Sequence, residues 1–230
     1  MQRTLTEVQS GYAYQAPETQ SLQDDDFGNP GLLWVDKGIA LWEVHCASCH
    51  EGLDHMTDVA TRYPRFDPAL NRVINLTQRI DHCRTEHVGL PAVDYESEEL
   101  LALTVALTHL ADGQPYAVDI SGNNAAAFER GRAYYYTRRG QMNLACHHCH
   151  EVNAGKKLRG ETLSQGHSNG YPTYRLQWQT LGSLQRRLRF CNAAMRAEPF
   201  AYGAQAYVDL ELFLAWRADD LALESPAVRR

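Results

Sequence analysis

Cys46-Ala47-Ser48-Cys49-His50 and Cys146-His147-His148-Cys149-His150 are one five-residue pattern, C-x-x-C-H, written twice in the chain. Their surroundings repeat too. Asn75-Leu76-Thr77-Gln78-Arg79-Ile80-Asp81-His82-Cys83 returns as Ser183-Leu184-Gln185-Arg186-Arg187-Leu188-Arg189-Phe190-Cys191. After each comes a stretch with apolar residues at helical spacing, Ser97 to Asp112 and Ala206 to Asp219, and both stop at an Ala-Asp pair. Before each C-x-x-C-H lies a helical stretch with aromatics, Trp42 in the first half and Tyr134, Tyr135 and Tyr136 in the second. The second half has a longer approach, Thr137 to Asn143. The period is about 100 residues. Strand alternation is almost absent, so the expected fold is all-α. It comprises two units related by an internal repeat, residues 31–120 and 121–230, behind an N-terminal extension at 1–30.

That extension holds Asp24-Asp25-Asp26 and a turn at Gly28-Asn29-Pro30-Gly31. Tyr12, Tyr14 and Phe27 favour a strap packed on the body over a disordered tail. Gly113 to Asn124 reads as a linker by composition. The whole chain has 230 residues, 44% hydrophobic and 22% charged, an ordinary globular balance with room for two cores. A net charge of −6 argues against nucleic acid or an anionic membrane as partner. No apolar run approaches the ~20 residues of a membrane helix. Met1-Gln2-Arg3-Thr4 lacks the apolar core of a leader peptide, which suggests a mature or recombinant start.

C-x-x-C-H is the attachment pattern of c-type heme. Two thiols at that spacing reach the two vinyl groups of one porphyrin, and the next residue sits under the iron. Cys46, Cys49, Cys146 and Cys149 are therefore the expected thioether cysteines, with His50 and His150 as proximal ligands. A redox C-x-x-C or half of a zinc site are the competing readings. Two copies in a repeated helical unit, with no strand–helix thioredoxin pattern, favour two covalently bound heme c groups, one per cytochrome c-like domain. A heme in each unit would also order its long loops.

Six cysteines less four leave Cys83 and Cys191, at corresponding places in the two halves. Each lies where a cytochrome c chain returns to the other heme face, so each is a candidate second iron ligand. A thiolate there lowers the iron potential relative to a methionine. Buried free cysteines, a Cys83–Cys191 disulfide, or Met56 and Met195 as ligands are the alternatives. His82, His87, His147, His148 and His167 read as surface or structural histidines.

Charge divides the halves. Lys156, Lys157, Arg159, Arg175, Arg186, Arg187, Arg189 and Arg196 face one acid, Glu161, whereas Glu51 to Glu96 holds five arginines against eight acids. Either an anion is handled at the second heme, or these arginines serve heme propionates and solvent. Arg187 precedes Cys191 by four residues, as Arg79 precedes Cys83, which leaves a merely structural companionship open.

The second half, with Gly155-Lys156-Lys157-Leu158-Arg159-Gly160, Gly170-Tyr171-Pro172-Thr173-Tyr174-Arg175-Leu176 and Arg186-Arg187-Leu188-Arg189-Phe190-Cys191, resembles SoxA. SoxA is the diheme subunit of the SoxAX cytochromes of bacterial thiosulfate oxidation. Leu210-Glu211-Leu212-Phe213-Leu214 and Pro226-Ala227-Val228-Arg229 fit as well. The resemblance implies a periplasmic enzyme that joins thiosulfate to a cysteine thiol of the SoxYZ carrier with loss of two electrons. It implies SoxX, a monoheme cytochrome, as partner. Cys191 would be both distal ligand and active-site sulfur, often a persulfide. Arg187 would hold the anion or assist the thiolate, and Cys83 would ligate the electron-transfer heme. Thiosulfate dehydrogenase, which couples two thiosulfates to tetrathionate, is the nearest rival. A plain diheme electron carrier is a second, and a heme-thiolate sensor a third, though no output module is visible.

Overall fold

The computed structural model describes residues 7–230, so the reading made on Met1 to Thr4 lies outside the described residues. The chain opens with a 3₁₀ turn, Gly11–Tyr14, and helix α1, Pro17–Asp24. The first half then runs α2 (Leu32–His45), a hairpin of β1 (Arg65–Asp67) and β2 (Arg72–Ile74), α3 (Leu76–His82), a π-helical turn Cys83–Val88, and α4 (Glu98–His109). The second half begins with α5 (Ala125–Tyr136) and a single short helix α6 (Cys146–His150). A small hairpin follows, β3 (Lys157–Leu158) with β4 (Glu161–Thr162). Then come β5 (Thr173–Arg175), β6 (Thr180–Gly182), α7 (Leu184–Ala194), α8 (Gln205–Arg217) and β7 (Ala227–Arg229). The fold is mainly helical, as expected, and two hairpins before α3 and α7 occupy equivalent places in the repeat.

Local sequence explains these boundaries. Asn75 caps α3 by accepting from the Gln78 N–H, with Gln78 reaching back in a capping box. Ser183 caps α7 by accepting from the Arg186 N–H. Each cap stands eight residues before its unpaired cysteine, so the two distal helices start in the same register. They finish differently. α7 carries Cys191 within its last turns, whereas α3 passes into the π turn at Cys83 itself. Ser97 caps α4, and Glu98 and Glu99 in its first turn favour the positive helix end.

In each half the helix before the C-x-x-C-H packs on the closing helix, α2 on α4 and α5 on α8. Both crossings depend on one glycine. A Cβ on Gly38 would stand 2.1 Å from the Ala102 carbonyl oxygen, and one on Gly131 would stand 2.0 Å from that of Asp209. Any side chain would force the helices apart. Gly38 lies eight residues before Cys46 and Gly131 fifteen before Cys146; the difference is the segment Thr137 to Asn143.

Around the first crossing Trp42, Leu76, Ile80, Leu100, Leu103 and Leu107 form one core. Around the second, Phe128, Tyr134, Tyr135, Tyr207, Leu210 and Phe213 form another. A third cluster joins the halves, because Val35, Leu101 and Val105 pack on Tyr174, Leu181 and Val228. The last three belong to a sheet in which β5 pairs antiparallel with β6 and parallel with β7. The segment before α2 packs as a strap: α1 contacts β7, and Asn29 Nδ2 donates to the Pro226 carbonyl at 2.9 Å. Tyr12 is tied to Asp24. Phe27 is no anchor; its side chain is fully exposed at 101%.

Candidate active site

Helix α5 ends at Tyr136, and the chain turns back through a bridge between Arg139 and Leu144 before entering α6. One helical turn then places Cys149 and His150 three and four residues after Cys146, on the same face. In the first half Cys49 and His50 both donate backbone N–H bonds to the Cys46 carbonyl, at 3.0 and 3.1 Å, so the same turn recurs there. No disulfide joins any of the six cysteines.

In the second half Cys146, His150, Arg187 and Cys191 line one cavity of about 470 Å³. That volume lies within the ~300–1,000 Å³ range of cofactor pockets. Leu184, Leu188, Leu210, Leu214 and Tyr135 supply apolar wall. Tyr14 of the strap closes another side, which gives that segment a place at the site. Met195 stands at the C-cap of α7 and is not among the lining residues. Cys149 lies outside the lining, although the Cys191 sulfur acts on it electrostatically.

The donors fit a covalently held heme. His150 Nδ1 bonds the Ser164 carbonyl at 2.9 Å, which orients the ring and leaves Nε2 for an iron. Burial pushes the imidazole down to about 4; the Ser164 carbonyl opposes this, and Arg187 and Arg217 add to it. The ring is neutral at physiological pH, as a ligand must be. Gly166, at φ +71°, forms the wall behind it: a Cβ there would stand 2.6 Å from His150 Cγ. Burial pushes the Cys146 thiol up to about 12, with Cys191 the next contributor. A thioether carries no charge, so such burial costs it little. Cys149 is raised for the same two reasons in the same order.

The first half offers an equivalent donor set. The His50 ring lies against Trp42, centroids 5.0 Å apart. Cys46 packs in the first core, and burial, then Cys83, raises its thiol. Cys83 thus acts on Cys46 while Cys191 acts on Cys146 and Cys149, and the two unpaired cysteines belong to different sites. This arrangement weighs against a Cys83–Cys191 disulfide. Among the described residues no three His, Cys, Asp or Glu side chains converge as a bare-ion site. His148 Nδ1 accepts from the Ala145 N–H at 3.0 Å, His167 Nε2 bonds Gln165 at 3.0 Å, and His82 meets His87 edge-on.

The cations divide the two sites sharply. Arg79 pairs with Asp67, which is 2% exposed, and buried Arg84 pairs with Glu99 and Asp81. The arginines of the first distal segment are thereby neutralised one by one. In the second, Arg175 and Arg187 share a single carboxylate, Glu161, at 3.6 and 3.7 Å. Burial works against the Arg187 charge, but Cys191, Tyr171 and Glu161 outweigh it and hold the guanidinium more firmly protonated. Arg187 and Cys191 thus line one cavity and interact electrostatically, and Arg79, paired with Asp67, is no guide to the role of Arg187. Not all the basic residues of this stretch do so: of the eight, Lys157, Arg175 and Arg187 line the cavity. Arg186 stacks on Trp178 and Arg189 on Tyr202 instead. Sequence reading singled out Glu161 as the one acid of its stretch without giving it a role, and missed Ser164, Gly166 and the lining residues Arg229 and Arg230; the +71° backbone of Gly166 leaves no sequence signal beyond a glycine.

Comparison with known proteins agrees with this geometry. The family model of the SoxA/TsdA cytochrome c domain matches residues 37–116 and 130–223. The SoxA subunit of L-cysteine S-thiosulfotransferase from Pseudaminobacter salicylatoxidans is 38% identical, over 96% of this chain and 80% of that one. Its counterpart from Rhodovulum sulfidophilum is 36% identical, over 97% and 80%. The crystal structure of SoxXA from P. pantotrophus superposes with a TM-score of 0.93 at 34% identity, covering 97% of this chain and 87% of that chain. With its two cytochrome c segments matched, and relatives above 30% identity along nearly its whole length, the chain belongs to the SoxA family of c-type cytochromes.

Proposed function

We propose that the chain is the SoxA subunit of an L-cysteine S-thiosulfotransferase that joins thiosulfate to a cysteine thiol of a SoxYZ carrier. The observation that carries this is the single cavity uniting Cys146, His150, Arg187 and Cys191. The chemistry balances as carrier–SH plus S₂O₃²⁻ giving carrier–S–S–SO₃⁻, one proton and two electrons. An S–S bond forms, the S–H bond breaks, and the sulfur pair is oxidised. Bound heme would supply the one-electron exits. One heme c is held by Cys46, Cys49, His50 and Cys83, and a second by Cys146, Cys149, His150 and Cys191. The division of the body at residue 120 follows from that assignment, as does the extension at 1–30.

The chain's own side chains do the rest. Arg187 and Arg175 offer planar donor forks to a small oxyanion and exchange Glu161 for it. Arg187 also sets a positive charge beside the Cys191 sulfur, where the sulfane sulfur would arrive. Apolar Leu188, Leu210 and Leu214 keep water from the sulfur pair. The first site is assigned electron transfer alone, because Arg79 and Arg84 are already neutralised by carboxylates. A SoxX-like cytochrome is the proposed partner, in line with the SoxXA complex of the P. pantotrophus relative. The proposed compartment is the periplasm; among the described residues no helix is long and apolar enough to cross a membrane.

The test is a product analysis of the purified cytochrome complex with thiosulfate, an electron acceptor and a carrier bearing a free cysteine. A thiosulfate adduct on that cysteine, seen by mass spectrometry, supports the assignment. Tetrathionate alone identifies a thiosulfate dehydrogenase, and neither product leaves an electron carrier.

A further inference from the structure

A second cavity, of about 80 Å³, lies between the two halves. Asn75, Thr77, Tyr95, Thr104, Tyr116 and Ser168 give it a polar lining, and the volume suffices for ordered water. Tyr171 and Leu184 belong to this lining and to that of the larger cavity, so the two spaces adjoin. In its wall stands Glu211 of α8, a residue 8% exposed. One carboxylate oxygen accepts from Asn75 Nδ2 at 2.8 Å and the other from Gln185 Nε2 at 2.8 Å. Asn75 caps the helix leading to Cys83, and Gln185 lies in the first turn of the helix carrying Cys191. One carboxyl group thus touches both distal helices.

Its charge is left to two neutral amides. On α8, Asp209 pairs with Arg130 and Arg217 with Glu151. On α7, Arg187 pairs with Glu161, and Arg186 lies over Trp178. Before α4, the Tyr95 hydroxyl takes a bond from Asn75 Nδ2 at 2.7 Å, and Glu96 accepts from the Ser183 N–H. Tyr63, Tyr116 and Tyr171 complete the titratable groups that line the cavity. Among the described residues no cation is paired with Glu211. Burial raises this carboxyl to about 7, against the pull of the two amides. A group poised there changes state when a nearby charge changes.

Given the heme assignment above, on which this inference rests, we propose that Glu211 is a redox-linked proton site. For an electron entering the heme sites, a proton from water forms an O–H bond on the Glu211 carboxylate; when the electron leaves, that bond breaks and the proton returns to water. The site compensates charge inside a low-dielectric body. It suits a reaction that yields two electrons and one proton, and it occupies the seam through which both distal helices are held.

The test uses the heme-loaded complex, with heme content read first by intact mass and absorption. Spectroelectrochemical titration from about pH 5 to 8.5 should show one heme potential falling with pH through neutrality. Full coupling is a tenfold change in the redox equilibrium per pH unit, about 59 mV. Redox-difference infrared spectra should show a protonated carboxyl band that grows on reduction. Glu211→Gln should flatten the potential and remove the band, Glu211→Asp should retain both, and Glu96→Gln should leave both in place. A loaded wild-type complex with flat potentials and no such band overturns the proposal, as does a slope that survives Glu211→Gln. A chain that binds no heme would instead defeat the underlying heme assignment.

Discussion

Gly166→Ala isolates the wall behind the His150 ring. At φ +71° an L-side chain sits in left-handed backbone, which costs about 1–2 kcal/mol. The new Cβ would also meet the His150 ring at 2.6 Å from Cγ and 2.7 Å from Nδ1. The ring must swing off the Ser164 carbonyl, losing a hydrogen bond worth roughly 1 kcal/mol. The sum is about 2–3 kcal/mol, or a fall of roughly 5–10 °C in melting temperature for a chain of this length. Gly155→Ala is the control: its φ is +82°, but nothing lies within 4 Å of the new Cβ, so it carries the strain without the collision. The assays are a thermal melt and the low-spin absorption and magnetic resonance spectra of the loaded protein. Gly166→Ala should keep both hemes attached, change the spectrum of one, and melt below Gly155→Ala. Matching melts with unchanged spectra for both would refute the placement of His150.

Other perturbations separate roles that share residues. Arg187→Lys keeps a cation but loses the planar fork, so thiosulfate conjugation should fall about 10- to 100-fold in kcat/KM with heme content unchanged. Arg79→Ala leaves buried Asp67 without its partner and should cost about 3–5 kcal/mol in denaturant melts while sparing conjugation in the folded fraction. Glu211 has a folded pKa raised to about 7 from 4.5, so the unfolded chain gives up that proton first as pH rises. Stability should therefore decline between about pH 4.5 and 7, by about 3 kcal/mol from this group, and level off above. Melts of Glu211→Gln across that window should lack the decline.

The repeat of C-x-x-C-H, and the matched positions of Cys83 and Cys191, were legible because covalent chemistry demands fixed residue types at fixed spacing. The caps at Asn75, Ser97 and Ser183 emerged only with the structure, whereas the closing helices were legible from their apolar period. Strands of two or three residues leave no period to read, so the hairpins were not. Gly38 and Gly131 look like any other glycine until a carbonyl 2.1 or 2.0 Å from their missing Cβ explains them. The excess of basic residues around Cys191 overstated the cavity, which only Lys157, Arg175 and Arg187 of the eight line. Charge counts ignore partners, and Arg186 and Arg189 spend theirs on aromatic rings. Tyr14 proved a cavity wall, whereas Phe27, equally apolar in sequence, faces solvent.

The most direct measurement compares Cys191→Ala with Cys83→Ala in the carrier assay, with excess chemical oxidant so that electron removal is not limiting. Both variants should retain their covalent hemes by intact mass. Cys191→Ala should form no thiosulfate adduct on the carrier cysteine, and Cys83→Ala should still form it. Adduct formation at the normal rate by Cys191→Ala would contradict the assignment of the larger cavity, lined by Cys191 and Arg187, as the reacting site.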